Sequence, residues 1–315
     1  MKFLMASDRG FTPEMYEAIR DLGIEPVFLP AGEDGRPGPE EAPYDGVDFS
    51  DIDAVFCYRF FCFNDIARFP RLKYIHTTSH GIDHMPLEYI RAHGILLRDA
   101  RGVYGVPMAE YALWGVLQLY KDAASYAARQ KAHRWERTEP LRELGGRQVT
   151  LLGAGSVATE CARRFTAMGC RCVGLCRHPD PAAEGYETQR SIGALDEVLA
   201  ETDILLVTLP LTEETRRLMD ARRFGLLKPG AVLVNIARGP IVDAEAMADA
   251  LRSGRLSGAV VDVFDEEPLP ADSPLWDEPN CIVTPHSSFV GEHNPRRLFD
   301  LVYKDTAEWL NGGIT

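Results

Sequence analysis

Short apolar runs alternate with longer amphipathic stretches along most of this chain. The runs are rich in Val, Ile, Leu and Phe and are bounded by glycine or polar clusters, which is typical of buried strands. Strands that alternate with helices predict parallel sheets covered by helices on both faces. The predicted strands are residues 2–6, 26–29, 54–57, 72–77, 95–98, 148–152, 170–175, 204–208, 231–235, 258–263 and 281–284.

Helical periodicity fills most of the intervals between these strands. The first helix is expected at residues 12–22, with Thr12 as its N-cap, and a long helix is expected at residues 107–132. Residues 32–51 are rich in Gly, Pro and acidic side chains and predict a surface loop. A last amphipathic helix is predicted at residues 295–310. Five strands then form a first α/β unit, and six form a second one of doubly wound type.

A glycine turn follows the strand at residues 148–152. Gly153 and Gly155 come next, and a helix begins near Ser156, so backbone N–H groups would point at a phosphate. Gly155 lets a pyrophosphate approach without a Cβ in the way, and Ala158 suits the third position, where only close packing is required. This pattern predicts a dinucleotide site; an ordinary strand-to-helix turn is the alternative.

Composition narrows the class of protein. The 315 residues are 45% hydrophobic and 26% charged, which is typical of a soluble chain of two domains. A net charge of −13 disfavours nucleic acid and anionic membranes as partners. No apolar run approaches the ~20 residues that span a bilayer, and residues 2–6 are too short for a signal-peptide core. The seven scattered cysteines lack zinc-ligand spacing, so we expect no metal, reduced thiols and a cytoplasmic location.

Residues with catalytic potential follow three successive strands of the second unit. Arg238 follows residues 231–235, Asp262 and Glu267 lie at and beyond residues 258–263, and His286 follows residues 281–284. The carboxyl ends of parallel strands face one ligand crevice, so these side chains are expected to converge. Taken singly, each could be an ordinary solvated side chain.

These residue types suit proton transfer to an anionic carbonyl compound. A protonated imidazole at His286 can quench the charge that builds on a carbonyl oxygen, and Glu267 would favour the charged imidazolium. Arg238 offers a planar fork that grips a carboxylate, which lysine cannot reproduce.

Further motifs accompany these residues, namely Ser79-His-Gly-Ile-Asp83, Pro107-Met-Ala-Glu-Tyr111, Leu209-Pro-Leu-Thr-Glu-Glu-Thr215, Asn235-Ile-Ala-Arg-Gly239 and Thr284-Pro-His286. Together they resemble the D-isomer-specific 2-hydroxyacid dehydrogenases over nearly the whole chain. Within that family the chain is most similar to the glyoxylate/hydroxypyruvate reductases, through Lys131-Ala-His-Arg-Trp135 and the run at 266–270.

The resemblance implies a role for each matching residue. His286 would be the proton donor, Glu267 its carboxylate partner and Arg238 the arginine that holds substrate. Asp262 would bond the nicotinamide carboxamide, and the N–H groups of His80 and Gly81 would receive the substrate carboxylate. The cofactor contacts expected from these motifs are Gly153, Gly155, Ser156, Val157, Leu209, Pro210, Thr215, Ile236, Ala237 and Asp262.

The resemblance also implies the organisation of the chain. Residues 1–99, completed by the C-terminal helix at 289–315, would form a substrate-binding domain. Residues 100–288 would form the dinucleotide-binding domain, and both domains would be doubly wound parallel sheets of Rossmann or flavodoxin type with the reaction cleft between them. A homodimer through the cofactor domain, involving the helix at 107–132, is expected.

The second strand of the cofactor domain departs from the family pattern. It ends in Cys176-Arg-His178, where an acid usually binds the adenosine ribose. An acid there would repel a 2′-phosphate, whereas Arg177 and His178 can bind one, so NADP(H) is expected to be preferred over NAD(H). The alternative is a solvated Arg177, with Asp180 reaching the ribose. The residues after His286, Ser287-Ser-Phe-Val-Gly291, also depart from the pattern and predict an unusual substrate pocket.

The favoured function is therefore an NADP(H)-linked reductase of a small 2-oxo acid such as glyoxylate or hydroxypyruvate. Arg59, just past the strand at 54–57, is a candidate second substrate contact, or else an exposed arginine. One alternative function is an NAD-dependent dehydrogenase of a phosphorylated hydroxy acid such as phosphoglycerate, which the lack of a regulatory domain after the final helix disfavours. The other is a dinucleotide-sensing binding protein like the co-repressors of this fold.

Overall fold

Parallel strands and helices alternate through the part of the chain that the computed structural model describes, which is residues 1–7, 9–31 and 37–313. The chain divides into two units, one of Met1–Tyr104 with Gly291–Thr315 and the other of Gly105–Val290. The strands are β1 (Lys2–Met5), β2 (Glu25–Phe28), β3 (Ala54–Cys57), β4 (Tyr74–Thr77), β5 (Leu96–Arg98), β6 (Gln148–Leu152), β7 (Arg171–Cys176), β8 (Thr188–Ser191), β9 (Ile204–Val207), β10 (Ala231–Asn235), β11 (Leu256–Val261) and β12 (Cys281–Val283). The helices are α1 (Pro13–Asp21), α2 (Phe60–Phe63), α3 (Leu87–Ala92), α4 (Gly105–Tyr120), α5 (Ala123–Lys131), α6 (Ser156–Ala167), α7 (Leu195–Leu199), α8 (Ala221–Leu226), α9 (Ala244–Arg252) and α10 (Asn294–Leu310).

The first unit is a five-stranded parallel sheet in the order β2-β1-β3-β4-β5. This is the flavodoxin-like order, with its switch point between β1 and β3. All four residues of β3 are buried, because helices cover both faces of the sheet. One of the two apolar clusters includes Leu298, Phe299 and Val302 of α10, so the C-terminal helix completes this unit.

The second unit is a seven-stranded parallel sheet in the order β12-β11-β10-β9-β6-β7-β8. Its chain reverses between β6 and β9, which is the switch point where doubly wound sheets bind nucleotides. The β6 and β10 strands are buried along their whole length. The prediction of two doubly wound parallel α/β units is confirmed.

The prediction of one continuous helix at residues 107–132 is wrong. The structure has α4 and α5 in its place, because Asp122 adopts a left-handed conformation, with φ of 54°, that ends one helix before the next begins. Asp122 also accepts a hydrogen bond from the Thr138 hydroxyl at 2.6 Å, which ties the break to the following loop.

The sequence prediction missed the strand β8, so the second sheet has seven strands instead of six. Its residues, Thr-Gln-Arg-Ser, are polar and mostly exposed, because β8 is an edge strand that pairs only with β7. Of the other predicted strands, β3, β6 and β10 have the predicted bounds, and the rest differ by one or two residues at their ends. The loop predicted at residues 32–51 lies outside the described residues over positions 32–36; residues 37–51 contain neither a helix nor a strand. Within the described residues, no helix combines the length and apolar character needed to cross a membrane.

Candidate active site

The glycine turn after β6 lies at the switch point of the second sheet. Gly153 has φ of 109°, and an added Cβ would lie 2.8 Å from the Thr208 hydroxyl, so only glycine fits there. A Cβ added to Gly155 would meet nothing within 4 Å, which leaves open space at the N-terminus of α6. Ala158 is fully buried in the apolar core, consistent with a packing role at the third position.

The hydroxyl of Ser156, the first residue of α6, is buried and has no hydrogen-bond partner within the described residues. An orphaned donor beside open space at a helix N-terminus is the arrangement that accepts a phosphate group. This turn therefore fits the pyrophosphate of a dinucleotide.

The loop after β9 lies beside this turn, because β9 and β6 are neighbours in the sheet. Thr215 closes the loop, since its hydroxyl donates to the Pro210 carbonyl at 2.7 Å and accepts from the Thr212 N–H at 2.7 Å. The motif that contains Leu209, Pro210 and Thr215 is thus a rigid turn at the switch point.

The end of β7 carries no acidic side chain. The Cys176 thiol faces the Gln189 amide oxygen at 3.6 Å, and Arg177 and His178 are exposed. The Asp180 carboxylate accepts a hydrogen bond from the Ala182 N–H at 2.9 Å, so it is engaged in its own turn.

The strands β10, β11 and β12 are adjacent, and their carboxyl ends present Arg238, Glu267 and His286 from one edge of the sheet. The His286 Nδ1 lies 2.7 Å from Glu267 Oε2. The other oxygen of Glu267 accepts the Phe264 N–H at 2.9 Å, which fixes the carboxylate. Because an ionised carboxylate only accepts, Nδ1 carries a proton and Nε2 is left for a substrate.

Arg238 is half-buried, and its backbone is held by a residue that the sequence analysis did not single out. Asn235, the last residue of β10, accepts the Ala237 N–H at 3.2 Å and donates from its side chain to the Arg238 carbonyl at 3.2 Å. The Arg238 side chain donates to the Ala237 carbonyl at 2.8 Å. An asparagine at a strand end is the signal that could have identified this support.

Gly239 ends the same motif, and the sequence alone assigned it no role. A Cβ at this position would lie 2.0 Å from the carbonyl carbon of Phe264, so the loops after β10 and β11 approach each other as closely as a glycine permits. This contact brings the loop of Arg238 against the loop of Glu267.

Asp262 is fully buried, and its carboxylate accepts three hydrogen bonds from its own chain. Oδ1 accepts from the Thr284 hydroxyl at 2.6 Å and the Ser287 N–H at 2.8 Å, and Oδ2 accepts from the Ser288 N–H at 2.8 Å. A carboxylate has about four acceptor positions, so capacity for a further donor remains on Oδ2.

The other substrate candidates belong to the first unit. His80 and Gly81 follow β4, in a turn where the Ser79 hydroxyl donates to the Gly81 carbonyl at 2.6 Å. His80 Nδ1 lies 3.5 Å from Asp99. Burial opposes ionisation of Asp99, but hydrogen bonding and charge from His80 hold the pKa of that carboxyl below its ordinary value. Arg59 follows β3 and pairs at 3.7 Å with Glu41.

Comparison with known proteins shows the family of this chain. Residues 113–288 match the family described as D-isomer specific 2-hydroxyacid dehydrogenase, NAD binding domain. The (S)-sulfolactate dehydrogenase of Chromohalobacter salexigens is 34% identical over 234 residues, which are 74% of this chain and 76% of that protein.

Solved structures cover the whole length. The D-isomer specific 2-hydroxyacid dehydrogenase of Xanthobacter autotrophicus Py2, in complex with NADPH and MES, is 29% identical with a TM-score of 0.78, over 100% of this chain and 96% of the other. The NADPH-dependent glyoxylate/hydroxypyruvate reductase of Sinorhizobium meliloti, in complex with NADP and sulfate, is 27% identical with a TM-score of 0.78, over 99% and 95%. The chain therefore belongs to the D-isomer specific 2-hydroxyacid dehydrogenase family of NAD(P)-dependent oxidoreductases.

Proposed function

We propose that this protein is an NADP(H)-linked reductase that converts a small 2-oxo acid, such as glyoxylate or hydroxypyruvate, into its 2-hydroxy acid. The observation that carries the proposal is the His286–Glu267 pair, at 2.7 Å, on the same sheet edge as Arg238. A histidine that can donate a proton and is paired with a carboxylate lies on the same sheet edge as an arginine that can bind a carboxylate. This combination matches a substrate that has a carboxylate and a carbonyl on adjacent carbons.

His286 supplies the proton of the reaction. Its Nε2–H donates to the carbonyl oxygen of the substrate, which becomes the hydroxyl oxygen of the product, while Glu267 stabilises the imidazolium before the transfer. Arg238 holds the carboxylate and polarises the carbonyl through its planar fork. In the reverse direction His286 accepts the proton.

The second unit would hold the cofactor. The turn of Gly153, Gly155 and Ser156 would bind the pyrophosphate, aided by the orphaned Ser156 hydroxyl. The remainder of the cofactor would lie against the turn of Leu209–Thr215 and the backbone of Ile236 and Ala237. Asp262 would use its remaining acceptor position to bind the carboxamide of the nicotinamide. A bound nicotinamide supplies the hydride, and the chain supplies orientation and electrostatics.

The preference for NADP(H) rests on the end of β7. Cys176 cannot make the two hydrogen bonds to ribose hydroxyls that an acid makes, and Arg177 is exposed beside it. Asp180 is a poor substitute, because its carboxylate is held in its own turn. The similar structures were solved with either form of the cofactor, NADPH or NADP in those from Xanthobacter and Sinorhizobium and NAD in another, so the preference depends on the end of β7 alone.

The double variant Cys176→Asp with Arg177→Ala tests the cofactor assignment. A charge-assisted contact contributes roughly 1.5–3 kcal/mol, so the ratio of kcat/KM for NADPH over NADH should fall by more than about tenfold. Cys176→Ser alone is the control and should leave the ratio nearly unchanged. A wild-type protein with a higher kcat/KM for NADH than for NADPH would remove this part of the proposal.

The first unit would supply the remaining substrate contacts. The N–H groups of His80 and Gly81 would receive the carboxylate, and Arg59 would make a second contact. Arg59→Ala should raise KM while kcat changes little, since a uniform binding contact is lost. An unchanged KM for every accepted acid would leave Arg59 as a surface residue paired with Glu41.

The substrate is tested by the loss of absorbance at 340 nm with a panel of 2-oxo acids, assayed with NADPH and NADH side by side. Glyoxylate and hydroxypyruvate should be reduced with the highest kcat/KM. The panel includes 3-phosphohydroxypyruvate and 3-sulfopyruvate, which would be preferred if a second anionic group is recognised. Tight binding of NADPH without oxidation by any acid would favour a dinucleotide sensor.

The larger organisation follows the same resemblance. We propose that residues 1–99 with 289–315 act as the substrate domain and 100–288 as the dinucleotide domain, which the two units of the fold support. We also propose a homodimer formed through the cofactor domain. A cytoplasmic location is supported by the seven cysteines, all of which are unpaired.

A further inference from the structure

The backbone of His286 has an uncommon conformation. Its φ is 50°, in the left-handed region that residues other than glycine seldom occupy. Such a conformation costs free energy and persists only where the surrounding structure holds it. The groups that hold it therefore decide where the imidazole points.

Asp262 makes most of the contacts that hold this backbone. The His286 N–H donates to the Asp262 carbonyl at 2.8 Å, and the N–H groups of Ser287 and Ser288 donate to its carboxylate at 2.8 Å each. Three successive backbone N–H groups, those of residues 286–288, thus donate hydrogen bonds to Asp262. A carboxylate bound in this way needs a fixed orientation, because a rotation would release both serine N–H groups.

The Thr284 hydroxyl also holds this carboxylate in its orientation. It donates its single hydrogen to Asp262 Oδ1 at 2.6 Å. Thr284 Oγ1 also lies 2.5 Å from the hydroxyl oxygen of Tyr111. Since the hydrogen of Thr284 is already used, the Tyr111 O–H must be the donor in this second bond.

The hydrogen bonds therefore run in one direction, from Tyr111 to Thr284 to Asp262. Tyr111 lies on α4, whereas Thr284 follows β12, so the first bond anchors the loop of His286 to a helix of the same unit. Burial raises the pKa of the Tyr111 hydroxyl to about 12, so it remains a donor across the working range of pH.

We propose that Tyr111 is a positioning residue, whose hydroxyl sets the orientation of the His286 imidazole through Thr284 and Asp262. The proposal rests on the role of His286 as proton donor. Tyr111 would contact neither substrate nor cofactor, because its hydroxyl is bound to Thr284. It acts on the rate of proton transfer. Binding of the cofactor should change little, because Asp262 Oδ2, the oxygen left for the carboxamide, is held by the Ser288 N–H and not by Thr284.

The test is Tyr111→Phe, which removes one oxygen and keeps the ring. We expect kcat for 2-oxo acid reduction to fall about tenfold, less than the ~100-fold that a 1 Å misplacement can cause. KM for the acid and the dissociation constant of NADPH, followed by its fluorescence, should stay within about twofold of wild type. An unchanged kcat, or a loss confined to KM, would overturn the proposal.

Tyr120→Phe is the matched control. Tyr120 lies on the same helix, is 1% exposed and has no hydrogen-bond partner for its hydroxyl within the described residues. Its variant should keep wild-type kcat, so an equal loss in both variants would indicate a general effect on α4.

A second pair of variants tests the route. Thr284→Ser keeps the hydroxyl and should retain most of the activity, while Thr284→Val should lower kcat at least as much as Tyr111→Phe. Adding Tyr111→Phe to Thr284→Val should cause little further loss, because Thr284→Val already removes the hydroxyl through which Tyr111 acts. If the two substitutions instead reduce kcat by independent factors that multiply, Tyr111 does not act through Thr284.

His286→Ala separates this inference from the proposed function. If His286→Ala is inactive and Tyr111→Phe is unaffected, the positioning role fails and the proton-donor role stands. If His286→Ala keeps wild-type turnover, the proton-donor role in the proposed function is wrong, and the positioning role that rests on it is wrong as well.

Discussion

At the scale of single residues, the geometry around His286 gives each ring nitrogen a separate task. Nδ1 is bound to Glu267 at 2.7 Å, and the opposite oxygen of Glu267 is fixed by the Phe264 N–H. The imidazole is therefore oriented and paired with a negative charge before substrate arrives. Such preorganisation is what makes a single proton donor effective.

Glu267→Gln should lower kcat for the reduction of glyoxylate. An amide carries no charge to offset the imidazolium, and it can turn its NH2 group toward Nδ1, so the fixed orientation of the His286 ring is lost. The measurement is the steady-state kcat of variant and wild type under the same conditions. An unchanged kcat would contradict the pairing.

At the scale of elements, Asp203 connects the chain segments at the amino ends of β6, β9 and β10 in the second sheet. This residue lies just before β9, and its carboxylate accepts from the Gln148 N–H at 3.0 Å, Lys228 at 2.8 Å and Arg147 at 3.3 Å. Burial opposes ionisation, but hydrogen bonds from Lys228 and the Gln148 N–H hold the pKa of the Asp203 carboxyl below its ordinary value. The ionised form therefore stabilises the fold.

Asp203→Asn should lower the free energy of unfolding at pH 7 by about 1.5–3 kcal/mol. Because the folded pKa of Asp203 is lowered, its contribution is present above the unfolded value, about 3.9, and is lost as pH falls through the folded value. The gap between wild type and variant, measured by urea unfolding, should thus narrow below about pH 4.

Asp196→Asn is the control for this prediction. Asp196 pairs with Arg222 and Arg223, but its side chain is 42% exposed, so its replacement should cost at most about 1 kcal/mol. Equal losses in the two variants at pH 7 would contradict the importance of burial at Asp203.

The apolar runs of the sequence were sufficient to locate the buried strands, because a strand covered on both faces is apolar throughout. The same signal is absent from β8, a polar edge strand, and from Asp122, where a local backbone conformation ends α4. The contact between Glu267 and His286 could be predicted because each residue follows a strand of the same sheet. The bond between Tyr111 and Thr284 joins residues 173 positions apart, and no local pattern reveals it.

At the scale of the whole molecule, the proposed dimer would bury an aromatic side chain that is exposed in one chain. Trp114 is 43% exposed on α4, and its ring lies 5.4 Å from that of Tyr111. Large exposed aromatic side chains often mark surfaces that bind another protein. We therefore expect Trp114 to lie in the interface between two copies.

Trp114→Arg should convert the protein from a dimer, with twice the 35.0 kDa mass of one chain, into a monomer in sedimentation velocity. Trp276→Arg is the control, because Trp276 is 51% exposed and lies away from α4 in the sequence. A wild-type protein that sediments as a monomer at micromolar concentration would contradict the proposed assembly.

The most direct test of the account is the rate of NADPH oxidation at 340 nm by wild type and His286→Ala, with glyoxylate and hydroxypyruvate as substrates. We expect rapid turnover by the wild type and a loss of about 10²–10⁴-fold in the variant, the usual contribution of general acid catalysis. NADPH binding, measured on the same samples by fluorescence, should be unchanged. Near-normal turnover by His286→Ala would contradict the account.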